Sequence, residues 1–277
     1  MDDFMPARAG TDLPRDRQAG LAVQIGEAVE HMRAQTPHVH CLTNLVANNL
    51  TANVLLAGGA TPSMTDARNE VAAFVARADA LLVNLGTLDE RQKEAMLIAI
   101  TAANDNKVPW ILDPVFAHFS PPRLAFAREL LGHGPAIVRG NAYELAAMRS
   151  GEAGGKQGDA LSDEQTVEYA AATGITIART GQVDLVSDGA RLIRVHNGHP
   201  LMARVTGIGC AMTALMAAMR AVEADGLLAA AATLAWAGIA GELAAEQGAG
   251  PGMFQPQFID ALSGLGMADL RARILVS

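Results

Sequence analysis

Cysteine is scarce in this chain of 277 residues: Cys41 and Cys210 stand far apart, with neither the density of a disulfide framework nor the paired spacing of a zinc knuckle. Basic residues are also in the minority, 21 Lys and Arg against 29 Asp and Glu, and a formal charge of -8 argues against nonspecific nucleic-acid binding. No run of 18 uninterrupted apolar residues occurs, and the acidic N-terminus lacks the basic-then-apolar order of a signal peptide. The expectation is a cytoplasmic protein with no membrane partner and a small-molecule substrate. Only 18% of residues are charged, so some helix faces are covered by either the rest of the fold or a partner subunit; with closed symmetric assemblies so common, a homo-oligomer is expected. No G-x-G-x-x-G fingerprint and no P-loop ending in Gly-Lys-Ser/Thr accompanies its one conspicuous glycine turn.

What is present is a series of short apolar runs that end in polar or glycine residues. Val39-His40-Cys41-Leu42 leads to Thr43-Asn44, 80–83 to Asn84-Leu85-Gly86-Thr87, and 108–112 to Asp113-Pro114. Residues 136–138 lead to Arg139-Gly140-Asn141, and 175–178 to Arg179-Thr180-Gly181. Buried strands alternating with helix-length segments predict an α/β fold in three layers, a mostly parallel sheet covered by helices on both faces. Residues 1–18 read as a flexible leader and 19–277 as a single domain, with a first helix over 21–32. The Asp188-Gly189 pair predicts a hairpin within 184–195. Helices are predicted over 211–222, 228–247 and 256–275, with Gly248, Gly250, Pro251 and Gly252 as breakers. The alanine-rich last third reads as tight helix packing.

The turn Val205-Thr206-Gly207-Ile208-Gly209-Cys210 precedes a strongly apolar helix. Two glycines allow close backbone approach, and the first helical turn offers free N–H groups to an anion. A cysteine there is expected to gain thiolate character from the helix field; the alternative is a tight turn with a structural cysteine. Asp113 after its apolar strand is placed either for magnesium or as a turn residue. Arg139 suits a phosphate oxygen. Asn141 and Glu144 have the spacing of a capping box, and Glu144 equally suits a magnesium–water network. Thr180 fits either a nucleotide contact or an ordinary turn. Met64 is either core or a pocket wall for a flat ring. His118 and Phe119 suit an entrance wall, with a solvent-facing loop position as the alternative for His118. A Cys/His pair at 40–41 is a poor nucleophile–base couple, because adjacent strand residues face opposite ways.

Taken in order, the stretches 40–44, 59–64, 83–88, 112–115, 139–144, 197–200, 206–210 and 240–244 resemble hydroxyethylthiazole kinase, a thiamine-salvage family of the ribokinase-like superfamily. The resemblance spans about residues 20–275. It implies transfer of the ATP γ-phosphate to the primary hydroxyl of 4-methyl-5-(2-hydroxyethyl)thiazole, with Mg2+, in a homotrimer whose pockets lie near subunit interfaces. It further implies that Asn44, Met64 and Gly207 serve the thiazole, Arg139 and Thr180 the nucleotide, and Asp113 and Glu144 the magnesium and phosphate network. Cys210 falls where many relatives of the superfamily have an aspartate base. A loose phosphoryl-transfer transition state asks for alignment more than early deprotonation, so the expected role of Cys210 is to orient the hydroxyl or weakly accept its proton. Two departures stand out: Phe116 replaces the family's usual glycine after Asp-Pro-Val, and Ile208 its usual threonine. The competing readings are a kinase for hydroxymethylpyrimidine or another small alcohol, an ATP-dependent hydrate-repair enzyme, and a binding protein without transfer activity.

Overall fold

The computed structural model describes residues 14–154, 159–248 and 250–277. One sheet of eight strands runs through it in the order β2-β1-β3-β4-β5-β6-β7-β8. The strands are β1 (His38–Leu42), β2 (Thr61–Ser63), β3 (Ala80–Asn84), β4 (Trp110–Asp113), β5 (Ile137–Asn141), β6 (Thr176–Thr180), β7 (Asp184–Ser187) and β8 (Leu192–Val195). All pairings from β2 to β6 are parallel, while β6–β7 and β7–β8 are antiparallel.

The two-residue alternation of strand side chains divides the core in two. Cys41, Leu82, Ile111 and Ile137 face one layer; Leu42, Leu81, Val83, Leu112 and Val138 face the other. The first layer contains α1 (Arg15–Gln35), α2 (Asn48–Gly58), α8 (Ile208–Val222), α9 (Gly226–Glu246), α10 (Pro251–Gly264) and α11 (Met267–Arg273). The second contains α3 (Val71–Val75), α4 (Glu90–Asp105), α5 (Pro121–Leu131), α6 (Ala142–Ser150) and α7 (Asp163–Thr173). Helix α9 is long and apolar enough to cross a membrane by composition, yet 83% of its apolar window is buried within the fold.

Some boundaries differ from expectation, for physical reasons. Helix α1 starts at Arg15, so residues 15–18 of the expected leader are helical, while residues 1–13 lie outside the described residues. The three-residue β2 carries Pro62 and is too short to announce itself by pattern; parallel pairing with β1 recruits it. The predicted last helix is two, α10 and α11, and Pro251 starts α10 at a position where its missing N–H has no acceptor to lose. The hairpin forms around Gly189, at φ +89°.

The strand order reverses between β1, whose chain goes on to β2, and β3 on its other side. Connections leaving the C-terminal ends of these two strands therefore diverge and open a crevice. Asn44 follows β1 and Asn84 ends β3, so both lie at this switch point.

Candidate active site

Parallel pairing places Asn84 of β3 directly beside Asp113 of β4. Asn84 Nδ2 donates to Asp113 Oδ2 at 2.8 Å, and Thr213 Oγ1 from α8 donates to the same oxygen at 2.8 Å. Asn44 Nδ2 donates to Asn84 Oδ1 at 2.9 Å and to Cys210 Sγ at 3.3 Å. A continuous hydrogen-bonded chain thus joins Cys210, Asn44, Asn84, Asp113 and Thr213. Asn84 and Asp113 are buried, and Cys210 is partly exposed.

Asp113 Oδ1 is buried and has no hydrogen-bond partner among the described residues. Burial pushes the Asp113 carboxyl up to about 6; the positive charge of Arg139 opposes this and the negative charge of Glu144 adds to it. Arg139 comes from β5, and its Nε is likewise buried without a partner. Its guanidinium lies against the backbone of Gly209, where a Cβ would stand 3.0 Å from Nη1. A positive group and the unpaired N–H groups of the first turn of α8 therefore converge beside a carboxylate. Gly207 caps that helix at φ +91°, which only glycine adopts without strain.

Cys210 does not have the thiolate character expected from its helix position. Burial pushes its thiol up to about 11, and the nearby Asp113 charge adds to the shift, outweighing the hydrogen bonds from Asn84 and Asn44 and the charge of Arg139. The helix field is a local effect, whereas desolvation and a neighbouring carboxylate come from the tertiary fold. The other cysteine, Cys41, is a core residue whose thiol burial also raises.

Glu144 forms the capping box of α6: its Oε2 accepts from Asn141 N at 2.8 Å, while Asn141 Oδ1 accepts from Tyr143 N and Glu144 N. Its Oε1 accepts from Phe116 N at 2.9 Å, tying the 116–119 loop to the same carboxylate. Thr180 ends β6 opposite Asn141 and donates from Oγ1 to Gly140 O at 3.4 Å. Met64 lies one strand further out, after β2, half-buried against the α8 side of the core.

The two departures behave differently. Ile208 is 1% exposed and packs into the core, so it fills space beneath the turn instead of facing it. Phe116 has φ +58°, the left-handed region, and is 56% exposed. It forms a ring cluster with His118 and Phe119, and His118 also faces Tyr143. His118 is buried, contrary to the solvent-facing alternative.

Asn84, although part of two quoted stretches, and Thr213 receive no role from the sequence. Asn84 did carry a signal, a polar side chain at the end of an apolar strand two residues before a glycine. Thr213 carried none, being one hydroxyl in an apolar helix. The stretches 197–200 and 240–244 meet each other: Glu242 Oε1 accepts from Asn197 Nδ2 and Gly198 N, and Asn197 also ties down Arg273 and Leu275.

The model of the hydroxyethylthiazole kinase family matches residues 29–267. A hydroxyethylthiazole kinase of Granulibacter bethesdensis is 46% identical over 245 residues, covering 87% of this chain and 89% of its own. The structure of the hydroxyethylthiazole kinase protein from Pyrococcus horikoshii OT3 superposes with a TM-score of 0.86 at 38% identity, over 91% of this chain and 98% of that one. Pyridoxal kinase from Staphylococcus aureus shares the fold alone, with a TM-score of 0.58 at 13% identity over 75% of this chain and 88% of its own.

Proposed function

The chain belongs to the hydroxyethylthiazole kinase family, and from that premise we propose how its residues divide the labour of moving the ATP γ-phosphate to the primary hydroxyl of 4-methyl-5-(2-hydroxyethyl)thiazole. The observation that carries the proposal is the convergence, at one sheet edge, of Cys210, the free oxygen of Asp113, the Arg139 guanidinium and the first turn of α8. In a loose phosphoryl transfer the protein's task is alignment and charge stabilisation. Arg139 and the 208–210 N–H groups serve the transferring phosphoryl oxygens, with Thr180 on the nucleotide side. Asn44, Met64 and Gly207 border the thiazole. Cys210, held protonated, positions the alcohol.

Among the described residues no cluster of three or more His, Cys, Asp or Glu side chains forms a metal cage. Magnesium needs none, since it is held by one or two carboxylates together with phosphates and water. The partnerless, buried Oδ1 of Asp113 fits that demand. Asp113 would hold the ion directly; Glu144, with each oxygen already accepting a backbone N–H, would act through water. Magnesium held there would supply neutralisation of phosphate charge.

The homotrimer is proposed on the apolar side chains that border the pocket. Leu45 and Val46, 75% and 63% exposed, directly follow Asn44, and Leu56 on α2 is also exposed. A sedimentation experiment giving a monomer would overturn this part.

The reaction is tested by incubating the protein with ATP and magnesium against a panel of alcohols. The expected product is the thiazole phosphate ester with ADP. Preferred phosphorylation of hydroxymethylpyrimidine, or release of free phosphate in place of an ester, would sink the assignment.

A further inference from the structure

The amide of Asn44 has its orientation dictated by the backbone. Its Oδ1 accepts from Val46 N at 3.1 Å and Ala47 N at 3.0 Å, both of which are obligate donors. Its Nδ2 must therefore point the other way, giving one hydrogen to Asn84 Oδ1 and one to Cys210 Sγ. Asn84 is fixed by the same logic: Oδ1 accepts from Gly86 N at 3.0 Å, which leaves Nδ2 to donate to Asp113 Oδ2. Every donor and acceptor along this path has one consistent direction, and neither amide can flip without setting donor against donor. Sγ of Cys210 consequently accepts on the side of the two amides.

Gly86 has a second part in this. A Cβ at position 86 would stand 2.7 Å from both Cβ and Nδ2 of Asn44, so the absence of a side chain lets the Asn44 amide lie flat against the turn. The loops after β1 and β3 are further tied by Leu45 N donating to Thr87 Oγ1 at 3.2 Å. Nothing in the reaction requires Asn84 or Gly86 to touch substrate. Asn84 reaches Asn44, Asp113 and Cys210, and Gly86 lies against Asn44.

We propose that the Asn84-Leu85-Gly86 turn is a positioning element for phosphoryl transfer, with Asn84 and Gly86 holding the Asn44 amide so that Cys210 Sγ meets the substrate hydroxyl in one fixed orientation. This rests on the reading that Cys210 lies against the reacting alcohol. Burial and the Asp113 charge keep the thiol protonated, so its orientation, not its basicity, is what the turn controls.

The test is a pair of double-mutant cycles on kcat and KM for the thiazole alcohol, with melting temperature as the check on folding. Asn84→Leu removes the relay at similar volume. Gly86→Ala displaces Asn44 while leaving the Asn84–Asp113 hydrogen bond in place, and serves if the buried leucine variant fails to fold. Each is expected to lower kcat roughly 10-fold with KM changed less than about threefold, and to lower it less than about twofold further in a Cys210→Ala background. An equal fold-loss with and without Cys210, or a rise in KM at unchanged kcat, would overturn the positioning role. A Cys210→Ala variant that itself keeps full kcat would instead overturn the reading of Cys210, and the relay with it.

Discussion

Two walls of the site are built on opposite principles. The wall formed by Asn44, Asn84, Asp113 and Cys210 is drawn from strand ends and the start of a helix, is largely buried, and is bonded in one consistent direction. The lip at residues 116–119 with Tyr143 is aromatic, with Phe116, Phe119 and Tyr143 exposed over a buried His118, and it holds Phe116 in a backbone conformation that costs a non-glycine residue on the order of 1 kcal/mol. Both walls converge on the acidic pair, since Glu144 accepts from Phe116 N and its charge reaches Asp113. The contrast separates two kinds of surface: polar groups immobilised at the sheet edge, and rings on a loop where bulk can be exchanged.

The harshest way to break the fixed wall is Asp113→Asn. Turnover should fall by about 100-fold or more, because the carboxylate proposed to hold magnesium against the phosphates is lost from a buried setting. Stability should move the other way. The folded Asp113 carboxyl is raised to about 6 from an ordinary value of roughly 4, so the folded state holds its proton more tightly than the unfolded chain. Its contribution is fully favourable below about pH 4 and is lost as pH rises through about 6, where a bare carboxylate must stay buried. Melting of the nucleotide-free and metal-free protein should therefore show the asparagine variant matching wild type near pH 4 and exceeding it by a few degrees at pH 8. A wild-type protein more stable than the variant at pH 8 would mean that Arg139 outweighs burial at this site.

Both walls differ also in how far they could be read before the structure. The placement of Asn44, Asp113 and Arg139 at one sheet edge was legible because each ends or follows an apolar run, and in a parallel sheet such ends lie together. The direction of the Asn44 amide was not legible, because its partners come from β3 and α8. Cys210 shows the same limit from the other side: the helix-end field can be read locally, but the burial and the Asp113 carboxylate that overrule it come from distant sequence. The capping box at 141–144 was fully local and formed as spaced. The left-handed φ of Phe116 had no sequence signature, since its residue type argues against it.

That strain offers a cleaner test of the lip than loss of the ring alone. Phe116→Gly and Phe116→Ala both remove the aromatic side chain, but only alanine keeps a Cβ at φ +58°. The glycine variant should be the more stable of the two by about 1 kcal/mol in denaturant unfolding. Both variants should accept bulkier alcohols with a gain in relative kcat/KM of about 10-fold, the lower end of what one methylene-sized change in a pocket is worth. Equal stability of the two would show that tethering of Phe116 N to Glu144, not residue type, sets the backbone there.

Smallest in expected effect, and most specific to the nucleotide side of the fixed wall, is Gly209→Ala. The new Cβ would stand 3.0 Å from Nη1 and 3.2 Å from Nη2 of Arg139, atoms at the far end of a flexible side chain. Residue 209 is helical and does not require left-handed backbone, so the helix itself loses nothing and gains alanine's propensity. The guanidinium has to move by a few tenths of an ångström, in a pocket where its Nε is already without a partner. Steady-state kinetics should show KM for ATP raised about threefold, with KM for the alcohol and the melting temperature nearly unchanged, as expected for a displaced phosphate contact. A rise in the KM of the alcohol at constant KM for ATP would place Arg139 on the substrate side, and would move the line between the two ligands across the start of α8.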